Sequence, residues 1–151
     1  MKISQITAVA FAGLLSVNMT LPLVAQEMLM GADAIAKRQE LMKSNGATLK
    51  AAGAATGDAA IAGAQTLVNN FVMLGTLWPA DSKEGDTDAL PSIWNANGTH
   101  SDGFLVAFSS ASDAANALLA AAQSGDAGAY GAAVKAMGGT CGSCHGGFKE
   151  K

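Results

Sequence analysis

Cys141, Cys144 and His145 stand at positions i, i+3 and i+4 near the C-terminal end of a 151-residue chain. On a helix that spacing puts two thiols and an imidazole on one face. Val134 and Met137 continue the face on one side and Phe148 on the other, so the group falls on a stripe that faces a core. C-x-x-C-H is the attachment signature of c-type haem. The two sulfurs would form thioethers with the porphyrin vinyl groups, and His145 would bind the iron from the same side.

Three other uses of this residue set stand beside that one. A redox thiol pair belongs where a strand meets a helix in a βαβ setting, and the chain shows no convincing strand pattern. Zinc needs about four ligands; the only other histidine is His100, and there is no third cysteine. A disulfide between Cys141 and Cys144 would close too short a loop to restrain much unfolded chain.

The start of the chain reads as an export leader. Lys2 precedes an apolar run from Ile6 to Val17, and Leu21-Pro22-Leu23-Val24-Ala25 offers an imperfect cleavage site, so residues 1–25 are expected to be removed before Gln26. The run is shorter than the roughly 20 residues a membrane span needs. No later segment is expected to span, so stable membrane insertion is not expected. Residues 26–151 are long enough for one domain with a single core. They carry 8 Lys and Arg against 12 Asp and Glu, an acidic balance that does not suit nucleic acid or anionic lipid. Export to the periplasm agrees with haem attachment, though it would equally permit a disulfide.

Four segments show helical periodicity. The first, from Glu27 to about Ala52, repeats Ile35, Met42 and Leu49, with Arg38 and Asn45 on nearly the same face. The second, from about Ala59 to Trp78 with Asp58 as its cap, alternates Ile61, Ala64, Val68, Phe71, Gly75 and Trp78, widened by Leu67, Val72 and Leu74, and Pro79 ends it. A polar connection runs to about His100; its length suggests a hidden short element, and Leu90 to Trp94 could form one helical turn that buries Trp94. Asp81, Glu84, Asp86 and Asp88 lack the EF-hand spacing and read as solvated turn. The third helix, capped by Ser101 or Asp102, carries Phe104, Phe108, Ala111, Ala115, Leu118 and Ala122. After a short turn the fourth, from about Ala127 to Lys149, carries Tyr130, Val134, Met137, Cys141, Cys144 and Phe148. The fold class expected is all-α: an antiparallel up-down-up-down four-helix bundle with covalently bound haem. Five glycines, Gly138, Gly139, Gly142, Gly146 and Gly147, crowd the motif. Each costs a helix roughly 1 kcal/mol relative to Ala, so the last helix should be poorly ordered without its cofactor.

The whole of residues 26–151 resembles the class II c-type cytochromes, the cytochrome c' family. The likeness rests on the motif together with Arg38-Gln39, Leu41-Met42-Lys43-Ser44-Asn45-Gly46, Ala89 through Trp94, and Val134 through Gly139. It implies one haem c held in a four-helix bundle, with His145 as proximal ligand and the first helix covering the other side. Met42 matches the distal position, and its setting is similar to the low-spin, Met/His-ligated branch. Arg38 and Gln39 resemble residues near the haem propionates. Lys149 stands where relatives often carry Arg, and Gly146-Gly147 departs from the bulkier residues usual there.

Geometry also favours Met42 as a sixth ligand. Met137 shares a helix with His145, Met28 and Met30 lie near the expected mature N-terminus, and Met73 sits off its helix's stripe; a methionine on a helical stripe can equally be core packing. The expected function is periplasmic one-electron transfer to a basic or neutral redox protein, with His145 and Met42 as iron ligands. The alternative is a five-coordinate protein that binds nitric oxide or carbon monoxide, with Met42 as a non-bonding gate. A third reading is an electron-delivery subunit held by a larger enzyme. No enzymatic activity is expected, since His100 is poorly placed to act over the iron. The resemblance implies homodimerisation through the first two helices.

Overall fold

The computed structural model describes residues 28–151; the expected leader lies outside them. Four helices follow in order: α1 (Gly31–Ala52), α2 (Gly57–Leu74), α3 (Asp102–Ser124) and α4 (Ala127–Phe148), with short 3₁₀ turns at Ala80–Ser82 and Pro91–Ile93. Each helix packs on its neighbour in the chain, and α1 meets α4 only loosely. The fold is an all-α four-helix bundle with one slack seam.

Local chemistry sets the ends. Ser101 Oγ accepts from Phe104 N at 3.4 Å to start α3, and Asp126 Oδ1 accepts from Gly128 N and Ala129 N at 2.8 and 2.9 Å to start α4. Gly125, at φ 72°, supplies the left-handed residue that turns the chain between them. The expected Asp58 cap lies inside the first turn of α2; Thr56 occupies the cap position without a side-chain bond. α2 also stops short of Trp78. Pro79 disfavours helical backbone in the residue before it, and the chain unwinds from Gly75, while Leu77 and Trp78 stay buried beyond the helix.

The main core joins Leu41, Leu67, Phe71, Leu74, Ala111, Ala115, Leu118 and Met137. α3 buries the expected stripe apart from Phe108, which is half-buried, whereas on α2 the buried face centres on Ala60, Ala64, Leu67, Phe71 and Leu74 and leaves Val72 exposed. α3 is in fact long and apolar enough to cross a membrane, with a mean hydropathy of 1.4 over its best window, which corrects the expectation for later segments. Its alanine-rich composition causes this, and its stripe is spent on the bundle core. A second cluster of Trp78, Ile93, Trp94 and Phe104 anchors the long connection. The turn at Pro91–Ile93 buries Ile93 and Trp94 as expected, and the Trp94 indole donates to Trp78 O at 3.0 Å.

Candidate haem cleft

The slack seam between α1 and α4 opens into a cleft with about 270 Å³ reachable by the centre of a water molecule. α4 contributes Cys141, Cys144 and His145; α1 contributes Arg38, Met42, Asn45 and Leu49; Phe71, Phe108 and Ala111 form the floor. The two sides are therefore an attachment wall and a largely apolar wall facing it. A Cβ on Gly138 would meet Leu49 Cδ2 at 4.0 Å, which sets the register of the seam. Counting along antiparallel helices from that contact puts Met42 at about the level of His145, and Asn45 three residues deeper, near Cys141.

Both thiols are free and half-buried. Burial pushes the Cys141 thiol up, partly offset by a backbone hydrogen bond, and burial followed by the proximity of Cys141 pushes Cys144 up. Neither is the activated thiolate of a redox pair, which calls for a depressed pKa. Among the described residues no three His, Cys, Asp or Glu side chains converge as a metal-ion site. The His145 ring is exposed and lines the cleft, free to face a group lying in it.

The mouth of the cleft departs from expectation. Arg38 is only 4% exposed. Its Nη1 donates to Leu77 O and Ser82 Oγ at 2.9 and 2.7 Å, and its Nη2 to Ser82 O and Thr87 Oγ1 at 3.0 and 3.2 Å. Four of its five N–H donors are thus committed. The fork of Arg38 holds the connection, and the residue also lines the cleft at its mouth. Burial lowers its pKa to about 10, yet among the described residues it makes no ion pair, so its positive field is left for the cleft. Gln39 is exposed and donates to Asp86 O at 2.8 Å, at the same rim. His100 lies outside the cleft, donating through Nε2 to Trp78 O at 2.9 Å.

Two buried side-chain donors lack partners among the described residues, Trp78 Nε1 and Asn45 Nδ2, and both residues line the cleft. An unsatisfied buried donor costs about 1–3 kcal/mol, and both atoms are covered by protein even with the cleft open, so each weakens the packing beside the cleft. Arg38, a cation with no ion pair among the described residues, suits an anionic group entering at the mouth; the deep apolar wall and facing thiols suit the hydrocarbon edge of a porphyrin. The residues fit a covalently held haem. In the sequence Trp78 is only the end of an apolar stripe; its place at the cleft follows from the unwound segment after Gly75.

A four-helix bundle whose last helix turns two thiols and an imidazole toward an apolar cleft defines a class of covalent haem proteins. The family profile described as Cytochrome C' matches residues 33–149, and the chain belongs to that family. It is 43% identical over 63 residues to the cytochrome c' of Rhodospirillum rubrum, a match covering 42% of this chain and 40% of that protein. The fold is similar to cytochrome c prime from Shewanella frigidimarina, at 26% identity and a TM-score of 0.71, covering 80% of this chain and 96% of that one. It is also similar to a nitric oxide complex of a cytochrome c prime variant from Alcaligenes xylosoxidans, at 25% identity and a TM-score of 0.70, covering 83% and 100%.

Membership implies a covalently bound haem c and places the chain in a family of non-catalytic haem proteins. It also corrects two expectations. The family is five-coordinate, with histidine as the protein ligand, so the low-spin Met/His branch and a carrier built on Met42 ligation are overturned. The physical reason lies in the packing of Met42, whose side chain is half-buried against both the main core and the Trp78 cluster. It bridges two apolar groups, the ordinary use of an adaptable thioether.

Proposed function

We propose that the chain binds a diatomic gas, nitric oxide or carbon monoxide, at a haem iron held by His145, with Cys141 and Cys144 as the thioether attachments. Held there by His145, Cys141 and Cys144, haem would supply an iron able to bind a small gas. The observation that carries this reading is the cleft itself: Met42 presents an apolar side chain level with His145, over a floor of Phe71 and Phe108, and among the described residues the lining holds no second imidazole. Met42 limits the space, Phe71 and Phe108 exclude water, and Arg38 favours the anionic edge of the cofactor at the mouth. The nitric oxide complex of a similar fold supports the same reading.

The proposal includes export, with residues 1–25 as the cleaved leader and residues 26–151 as the haem domain in the periplasm. It also includes self-association. The large apolar side chains left exposed on the helices, Val72, Met73, Leu105 and Val106, lie on α2 and α3 rather than α1, so a pairing face would involve α2 and α3. The test of the main reading is a visible spectrum of ferric and ferrous holo protein before and after adding each gas. High-spin resting spectra that change promptly with gas are expected; a low-spin resting spectrum indifferent to both gases would defeat it.

A further inference from the structure

On the gas-binding reading above, we infer that the α1–α4 seam is the entry path for the gas: a second, apolar cavity farther along the seam collects the diatomic, and the gap between Gly138 and Leu49 passes it to the haem cleft. This cavity, of about 400 Å³, lies among the C-terminal ends of α1 and α3 and the N-terminal ends of α2 and α4. Ala52, Ala55, Ala60, Ala122, Tyr130 and Val134 form most of its wall. Asp126 is the one charged residue on that wall among the described residues, and its Oδ1 is engaged by the N–H groups of Gly128 and Ala129.

The two spaces share one seam. Counting from the Gly138–Leu49 contact sets Ala52 and Ala55 within a residue of the level of Val134 and Gly131, the α4 residues that line the second cavity. Leu49 lines the cleft and Ala52 the cavity, about 5 Å apart along α1. Between them the seam is pinched but not shut. Gly138 has no side chain, and a Cβ built there would come only to ordinary van der Waals distance from Leu49 Cδ2, 4.0 Å. The gap therefore has room for a methyl-sized group, about the girth of a diatomic. The mouth of the cleft offers a less suitable entrance, because it gathers Arg38, Gln39, Asp88 and Lys149, whereas an uncharged diatomic prefers apolar space.

The experiment measures carbon monoxide association and dissociation rates on ferrous holo wild type, Gly138→Ala, Val134→Phe and Gly139→Ala, and uses the chemical shift of dissolved xenon, a guest of apolar cavities, to probe the second cavity. Gly138→Ala fills the gap and Val134→Phe the cavity. Each is expected to slow both rates about fivefold, equivalent to ~1 kcal/mol of added barrier. The affinity, their ratio, should not change, because a group met only in transit alters neither end state. Gly139→Ala, whose Cβ would meet nothing within 4 Å, should keep wild-type rates. Xenon should enter the wild-type cavity and be displaced in Val134→Phe. Unchanged rates in either filled variant overturn the inference, as do a changed affinity, equal slowing in Gly139→Ala, or a wild-type cavity that takes up no xenon. A wild type that binds neither gas overturns the gas-binding reading instead.

Discussion

The guanidinium of Arg38 lies 4.5 Å from the centre of the Trp78 ring, so a buried cation on α1 and a buried indole from the connection meet at the mouth of the cleft. The contact ties the distal helix to the loop that closes the haem side. Replacing Arg38 by Met keeps much of the volume but strands the carbonyls of Leu77 and Ser82, which now accept from it. Each buried acceptor left unpaired costs about 1–3 kcal/mol, so Arg38→Met should lower stability to urea by about 3 kcal/mol. Lys has no fork, and Arg38→Lys should recover little of it. A loss under 1 kcal/mol in Arg38→Met would show that the connection is held by its aromatic cluster alone.

Trp78→Phe separates the indole's packing from its hydrogen bond. The apo protein should lose little or gain stability, because the substitution removes a donor that has no partner among the described residues. The holo protein should shift in the same direction, because Nε1 has almost no surface open to the cleft. Matching effects on apo and holo melting are the expected outcome; a loss confined to the holo protein would show that the indole turns to meet the cofactor.

Met42→Ala should leave the resting spectrum high-spin and speed gas association, because it removes bulk from the wall level with His145 while breaking no bond to iron. Stopped-flow mixing with carbon monoxide measures the rate. A wild-type spectrum that is low-spin and becomes high-spin in Met42→Ala would reinstate the thioether as a ligand.

The bundle was legible because its signals are local: the α3 stripe from Phe104 to Ala122 and the Ser101 cap each follow from a few neighbouring residues. The attachment wall was legible for the same reason, since Cys141, Cys144 and His145 are fixed by one turn of helix. What Arg38 does was not. Its acceptors lie 39 to 49 residues away, in a connection whose path no periodicity encodes. Met42 shows a different limit. Its place on the cleft wall follows from α1's seven-residue repeat, but whether sulfur bonds to iron depends on packing against two clusters that only the assembled fold brings together.

The glycines of α4 provide a direct handle on the apo state. A Cβ added at Gly139 or Gly147 would meet nothing within 4 Å, and neither residue lines the cleft. Gly139→Ala and Gly147→Ala should therefore each stabilise the apo helix by about 1 kcal/mol without altering the holo spectrum. Circular dichroism of the apo protein, with and without the pair of changes, reads the gain in helix directly. No gain would mean that the end of α4 is ordered by its packing and not limited by glycine.

The C-terminal end of α4 is also tied to the connection, and the question is which tie dominates. Lys149 Nζ lies 2.9 Å from Asp88 Oδ2, but both side chains are substantially exposed, and such a pair is worth about 0–1 kcal/mol and is screened by salt. The backbone makes the less conspicuous contribution: Leu90 N donates to Phe148 O at 3.0 Å, and Glu150 N to Asp88 O at 2.8 Å, one turn beyond His145. Asp88→Asn should therefore cost less than 1 kcal/mol, a loss that fades at high ionic strength. Ending the chain after Phe148 removes the Glu150 bond, the ion pair and the Lys149 N to His145 O bond of 3.2 Å together, and should cost about 2 kcal/mol at any salt. If the two variants lose the same amount, the ion pair and not the backbone holds the strap; if the truncation alone also shifts the iron–histidine stretch in the ferrous protein, the strap sets the orientation of His145.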